Sequence, residues 1–258
     1  MRYPDWESLE IASGAGPVDL PVAFCADLSP VSVLGAYRRG IIPMPAPDEH
    51  FRTTNEFRYE DLVADGTIGL VGPGDPYWVA WWSPDPRPVI GVGGVHLGRN
   101  VRRVIRRHDL RTTADAAFGR VAEECRAGRE PRWLTDPLLA TLTALHAEGW
   151  AHSIEVWLDG DLIGGAMGIG IGRTISGDSL FSRHPGAARV AVADMAARWG
   201  VAGGMLIDAQ WDSPFLRSLG AESLPRERYL PLLARSAERT ALASQPLAAR
   251  RLLAADPG

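Results

Sequence analysis

Lysine is absent from this 258-residue chain, and all 27 of its basic side chains are arginine. That excludes a Schiff-base lysine, a P-loop lysine and a Ser-Lys dyad together. Cysteine is scarce: Cys25 and Cys125 have no CxxC or His-paired spacing. They predict two unpaired thiols in a reducing cytoplasm, with no structural zinc or other metal. No apolar run reaches the roughly 18 residues of a membrane-spanning helix, so no contact with a membrane is expected. The opening MRYPDWESLEIASG carries acids and no apolar stretch, which argues against a signal peptide. A net charge of −4 argues against polyanion binding by the whole surface, but leaves room for a local basic patch.

With 46% hydrophobic and 22% charged residues, the composition is that of a globular protein with an ample core. The segment DLSPVSVLGAYRRGI predicts a helix with Ser29 as N-cap, Pro30 at the first helical position and Gly40 past the end. Residues 43–88, rich in Pro, Gly and aromatics, read as an irregular segment around short strands. Helical spacing returns in GRNVRRVIRRH, where Arg99, Arg102, Arg103, Arg106 and Arg107 share one side, opposite Val101, Val104 and Ile105. Two amphipathic helices are expected near 114–127 and 135–148, the second closed by Gly149. AHSIEVWLDG and DLIGGAMGIGI predict a hairpin turning at Asp159-Gly160, and RTISGDSLF a third strand. A helix over GAARVAVADMAARWG, a strand at GMLIDAQ and helices at SPFLRSLG and RERYLPLLARS follow. Beyond residue 236 the pattern is open between a helix and a frayed end. This order suggests an α+β sheet of acetyltransferase (GNAT) type.

The letters GDSL at 177–180 raise the question of a serine hydrolase. A nucleophilic Ser179 needs a histidine held by a carboxylate. His184 is the single histidine after it, and no Asp-x-x-His follows, so the hydrolase reading fails. RHPGAA at 183–188 could instead cradle a CoA pyrophosphate at a helix start, or be an ordinary strand-to-helix loop.

Taken in order, DLSPVSVLGAYRRGIIP, WWSPDPRPVI, VHLGRNVRRVIRR, LRTTADAAFGRV, RWLTDP, LHAEGWAHSIEVWLDGDLIGGAMGI, GDSLFSR, LIDAQW and SLGAESLPRERYL resemble the leucyl/phenylalanyl-tRNA–protein transferases over most of the chain. The resemblance implies a small N-terminal α+β domain at 1–92, with an insertion near 48–75. A GNAT-like catalytic domain at 93–235, which uses no CoA or other cofactor, and a C-terminal tail at 236–258 would follow. It implies transfer of Leu or Phe, with Met a further candidate, from aminoacyl-tRNA to the α-amino group of proteins beginning with Arg or Lys. The modified protein is thereby marked for degradation through an N-degron. The enzyme would act in the cytoplasm as a monomer.

Residue by residue, the resemblance makes Asp208 and Gln210 the catalytic pair, joined by Asp178. Two strand positions apart, the pair can face one pocket, where Asp208 would attract and deprotonate the amine and Gln210 orient it or the ester. Ala166, Ile175, Gly177, Ser179, Leu180, Val192 and Ile207 would bound the amino-acid pocket, although the apolar ones would otherwise read as core. Tyr37 and Trp133 would hold the terminal adenosine. The arginines at 99–107 would meet acceptor-stem phosphates, or else form a solvated basic face. Met44 stands where the family has a tryptophan, Ala166 replaces a methionine and Ala209 a cysteine. An acyl-CoA N-acetyltransferase and an inactive tRNA-binding relative are the alternatives.

Overall fold

The computed structural model describes residues 4–9, 19–128, 130–233 and 239–254. Near the N-terminus the short apolar runs pair as strands around a buried tryptophan. The elements in order are β1 (Ala23–Phe24), α1 (Pro30–Tyr37), β2 (Ile42–Pro45), α2 (Glu49–Ala64), β3 (Gly69–Leu70) and β4 (Val79–Trp82). The sheet runs β2-β4-β1-β3. Trp81, fully buried on β4, donates its indole N–H to the Cys25 carbonyl at 2.9 Å. Ser29 caps α1 by accepting from the Ser32 amide, with Pro30 in the first turn, as the sequence predicts. Both cysteines are buried and neither is in a disulfide, and burial pushes the Cys25 thiol up to about 11.

The 16-residue α2 corrects the reading of 43–88 as irregular. Its N-cap Asp48 accepts from the Phe51 amide at 3.0 Å, and Arg52 pairs with Glu56 one turn on at 2.5 Å. Of its side chains only Tyr59 is buried. A helix held by a cap and local charge pairs has no apolar stripe for a periodicity argument to find. Tyr59 joins Phe24, Ile68 and Ala80, and Met44, Leu62 and Val63 pack against that cluster.

Two distant segments complete this unit, which comprises 1–86, 128–145 and 225–234. Trp133 donates to the Pro43 carbonyl at 2.9 Å and Thr141 to that of Leu28. Arg226 reaches the Ser83 carbonyl at 2.7 Å, and its amide reaches Asp85. Such anchors cross the sequence, so the units are discontinuous where the sequence reading drew simple boundaries at 92/93 and 235/236.

The second unit comprises 87–127, 146–224 and 235–258. It holds β5 (Arg87–Gly91), α3 (Gly98–Arg107), β6 (Arg111–Ala114) and α4 (Phe118–Arg126). After α5 (Asp136–Ala147), which lies mostly in the first unit, come β7 (Ala151–Leu158), β8 (Asp161–Ile171), β9 (Thr174–Ser176) and β10 (Ser179–Ser182). Then follow α6 (Ala187–Val201), β11 (Leu206–Asp208), α7 (Pro214–Ser218), β12 (Glu222–Leu224), α8 (Arg226–Leu233) of the first unit, and β13 (Leu247–Ala248). The sheet order is β12-β5-β11-β9-β8-β7-β6-β13, with β10 also paired to β8. β9 and β11 are parallel and joined through α6, whereas the other pairs are antiparallel. The α+β class is as expected.

The helix expected near 114–127 begins at Phe118, because 111–114 pair with β7 as a strand. Their β-branched Thr112 and Thr113 are buried there, Thr113 bonded to the fully buried Glu155. Glu155 also accepts from Ser153 Oγ at 2.5 Å, which gives the AHSIEVW motif a packing role. The described tail, 239–254, is not a frayed end: it forms β13 and a 3₁₀ turn at 249–253. Asp194, buried on α6, pairs with Arg198 at 2.8 Å and with Arg251. Arg198 in turn donates to the carbonyls of Ala243 and Gln245. The last residues of the helix expected at 226–236 lie outside the described residues.

Candidate active site

β11 ends on Asp208, and two residues later Gln210 has φ +61. A non-glycine residue holds this left-handed backbone only where its surroundings determine it. The Gln210 amide donates to Asp208 Oδ1 at 2.9 Å, and Gln210 Nε2 to Asp178 Oδ1 at 2.5 Å. Asp208 is fixed in turn from the neighbouring strand β5. Arg87 Nε lies 3.0 Å from both carboxylate oxygens, and both side chains are 1% exposed. Alternation along a strand therefore does not explain how Asp208 and Gln210 meet, since the strand has ended between them.

This geometry bears on the role expected of Asp208. Its charge is compensated by a buried guanidinium, and Oδ1 is already bonded to a backbone amide. Such a carboxylate anchors Gln210 better than it attracts an ammonium group. Arg87, unnoticed within WWSPDPRPVI, is the residue that sequence reasoning missed. No spacing signal distinguishes it from a surface arginine.

Asp178 reaches the site because the expected third strand is two strands. The Gly177 amide donates to the Asp208 carbonyl at 2.7 Å, and the Asp178 amide to the Met167 carbonyl at 3.0 Å. One peptide step thus carries the chain from β11 to β8, and the GDSL letters mark that fork. Ser179 is buried, its Oγ without a hydrogen-bond partner. His184 lies edge-on to His108 with ring centres 5.7 Å apart. Nothing pairs it with Ser179 as a nucleophile's base.

Gly168 holds the fork together. Ser176 Oγ accepts from the Ile169 amide at 2.9 Å and donates to the Ile169 carbonyl at 3.2 Å. A Cβ on Gly168 would stand 1.5 Å from the Ser176 carbonyl oxygen. Gly168→Ala must therefore push β9 off β8, with an expected loss of about 3 kcal/mol in stability. Transfer activity should fall with it, because Gly177 and Asp178 move too. A melting temperature unchanged by this substitution would refute the close packing.

Ala166, Ile175, Val192 and Ile207 lie in one buried cluster, with Leu180 packed against it. That cluster is the hydrophobic core of this unit, so the five residues are placed in or against the core. On α3, Val101 and Ile105 are buried and Arg102 is half-buried. Arg99, Arg103, Arg106 and Arg107 are exposed, and the five arginines line one groove. Tyr37 is buried on α1 and Trp133 is half-buried, both in the first unit. Arg183, from the suggested CoA loop, makes a two-point contact with Glu124 at 2.6 and 2.7 Å. Among the described residues no cluster of three or more His, Cys, Asp or Glu could hold a metal, and no helix is long and apolar enough to cross a membrane.

A model of the family described as leucyl/phenylalanyl-tRNA protein transferase matches residues 89–234. Relatives described as leucyl/phenylalanyl-tRNA–protein transferase share this sequence widely. The one from Teredinibacter turnerae is 36% identical over 83% of this chain and 73% of its own length. That from Aeromonas hydrophila is 34% identical over 96% of this chain and 90% of its own. That from Myxococcus xanthus is 36% identical over 83% of this chain and 82% of its own. Among solved structures, a GCN5-related N-acetyltransferase from Kribbella flavida aligns with a TM-score of 0.32 at 14% identity, covering 55% of each chain. A likeness that low carries no argument. The sequence matches do: this chain belongs to the leucyl/phenylalanyl-tRNA–protein transferase family and is an aminoacyltransferase, with aminoacyl-tRNA and protein as its substrates.

Proposed function

We propose that this enzyme moves Leu or Phe, and Met as a third donor, from its tRNA to the α-amino group of proteins beginning with Arg or Lys. The product carries an N-degron. The observation that carries the site assignment is Gln210, held in a left-handed backbone with its carboxamide against Asp178. The ester is already activated, so no covalent enzyme intermediate is required. An α-amino group with a pKa of roughly 7.7–8 is partly neutral near pH 7. What remains for the protein is position, a modest base and stabilisation of the developing oxyanion.

In this reading the neutral amine attacks the ester carbonyl, a new C–N bond forms, and the ester C–O bond breaks. The tRNA leaves as its ribose hydroxyl after taking a proton. Asp178, half-buried at the fork, is the carboxylate suited to receive the ammonium proton. Gln210 orients the reactants, and Ser179 offers its Oγ to the donor. Gly177, Ala166, Ile175, Leu180, Val192 and Ile207 bound the side chain being moved. Tyr37 and Trp133 hold the terminal adenosine. Trp133 lies on the same short segment as Arg132 and Thr135, which with Trp78, Pro45 and Asp136 line a cavity of about 650 Å³. That volume suits a nucleoside-sized ligand. The arginines of α3 take the acceptor-stem phosphates. The reaction takes place in the cytoplasm.

Incubation with Leu-tRNA and a protein beginning with Arg tests the assignment, and product should form without CoA. Binding without product, or acylation only with CoA, would overturn it. Donor choice gives a finer test. Replacing Ala166 by Met narrows the proposed pocket, and one or two methylenes in such a pocket are worth about 1–3 kcal/mol. The Phe/Leu ratio should fall about tenfold. An identical ratio in both proteins removes position 166 from the wall.

A further inference from the structure

We infer that Arg87 is a positioning residue of the transfer reaction, acting through Asp208 on Gln210. The inference rests on the reading that Gln210 and Asp178 face the reacting ester. Arg87 is the first residue of β5, and Asp208 is the last of β11, an adjacent antiparallel strand. The guanidinium Nε sits symmetrically at 3.0 Å from each carboxylate oxygen. This fixes the carboxylate plane, so Oδ1 stands 2.9 Å from the Gln210 amide. That bond supports the left-handed turn, and the turn aims the Gln210 carboxamide at Asp178. The Asp208 carbonyl holds the other side of the site through the Gly177 amide at 2.7 Å. One residue thereby sets both Gln210 and the fork that carries Asp178.

A buried ion pair of this kind is weak evidence for a role in stability, because desolvating two charges offsets most of their attraction. Replacing a buried ion pair by well-packed uncharged groups often leaves stability unchanged or raises it. What a neutral pair cannot reproduce is a carboxylate held at both oxygens while one of them accepts a backbone amide. Positioning is thus the property that the charged pair supplies.

Three variants test this in the full chain: Arg87→Gln, the double variant Arg87→Gln with Asp208→Asn, and Gln210→Ala. Steady-state transfer from Leu-tRNA and melting temperature are measured for each. Arg87→Gln should lower kcat about a hundredfold, the effect of a reactant or catalytic group misplaced by about 1 Å. KM for aminoacyl-tRNA should stay within about threefold, because the proposed adenosine and acceptor-stem contacts, away from Arg87, supply most of that binding. The double variant removes the uncompensated charge, so its melting temperature should recover while kcat stays low. Recovery of kcat in the double variant would show that the pair serves only as mutual neutralisation and would overturn the inference. So would an unchanged kcat in a folded Arg87→Gln, or loss of fold in both Arg87 variants. Gln210→Ala separates the two readings: if it transfers at the normal rate, the site assignment itself fails. If it loses activity while Arg87→Gln does not, only the positioning role fails.

Discussion

Asp208→Asn should reduce transfer at least a hundredfold while leaving aminoacyl-tRNA affinity within a few fold. Asparagine keeps one acceptor oxygen but presents an amide nitrogen to Arg87, so the carboxylate geometry that holds Gln210 is lost. A misplacement of about 1 Å at a reacting group is enough for a hundredfold loss. The substitution has a second, separable effect. Arg87 would remain buried opposite a neutral side chain, and breaking a buried pair costs about 3–5 kcal/mol. Against a typical stability of about 5–15 kcal/mol, the variant should still fold, with a melting temperature lower by on the order of 10 °C. Single-turnover transfer, measured well below that temperature, isolates the chemical effect. A parallel loss of tRNA affinity would make Asp208 a structural residue only.

Charge reversal at Arg102 and Arg106 should weaken tRNA binding on the order of ten- to a hundredfold at low salt. Both side chains sit on the groove-lining face of α3. Each phosphate contact releases condensed counterions, so the slope of log K against log salt should become shallower by about 1 per contact removed. The fold should not suffer, since α3 packs through Val101 and Ile105 on the opposite side. The magnitude of the salt slope is the decisive reading. A slope equal to that of the unaltered protein assigns the arginines to solvent.

One departure from the expected family pattern shares a cluster with α2. Met44 stands where the resemblance expects tryptophan, and it packs against the cluster of Phe24, Tyr59, Ile68 and Ala80, as Leu62 and Val63 of α2 do. Tyr59, Leu62 and Val63 lie within 48–75, the stretch that the resemblance implies to be an insertion. A flexible thioether side chain adapts to the irregular edge of such a cluster.

Much of this protein was legible in its sequence. The capped α1, the Asp-Gly hairpin, the arginine face of α3 and the α+β order follow from local rules: a cap, a turn dipeptide, a period of 3.6 or 2. The motifs also identified the family, which the comparisons bear out. Local rules failed where non-local partners decide. α2 forms without an apolar stripe, 111–114 is a strand because β7 pairs with it, and RTISGDSLF splits because successive amides find partners on different strands. The sequence could bring Asp178, Asp208 and Gln210 forward as residues. Only the tertiary structure could seat Arg87, 121 positions away, against Asp208. A charge pair between adjacent strands leaves no period and no spacing in the chain, because its geometry is set by strand order and register.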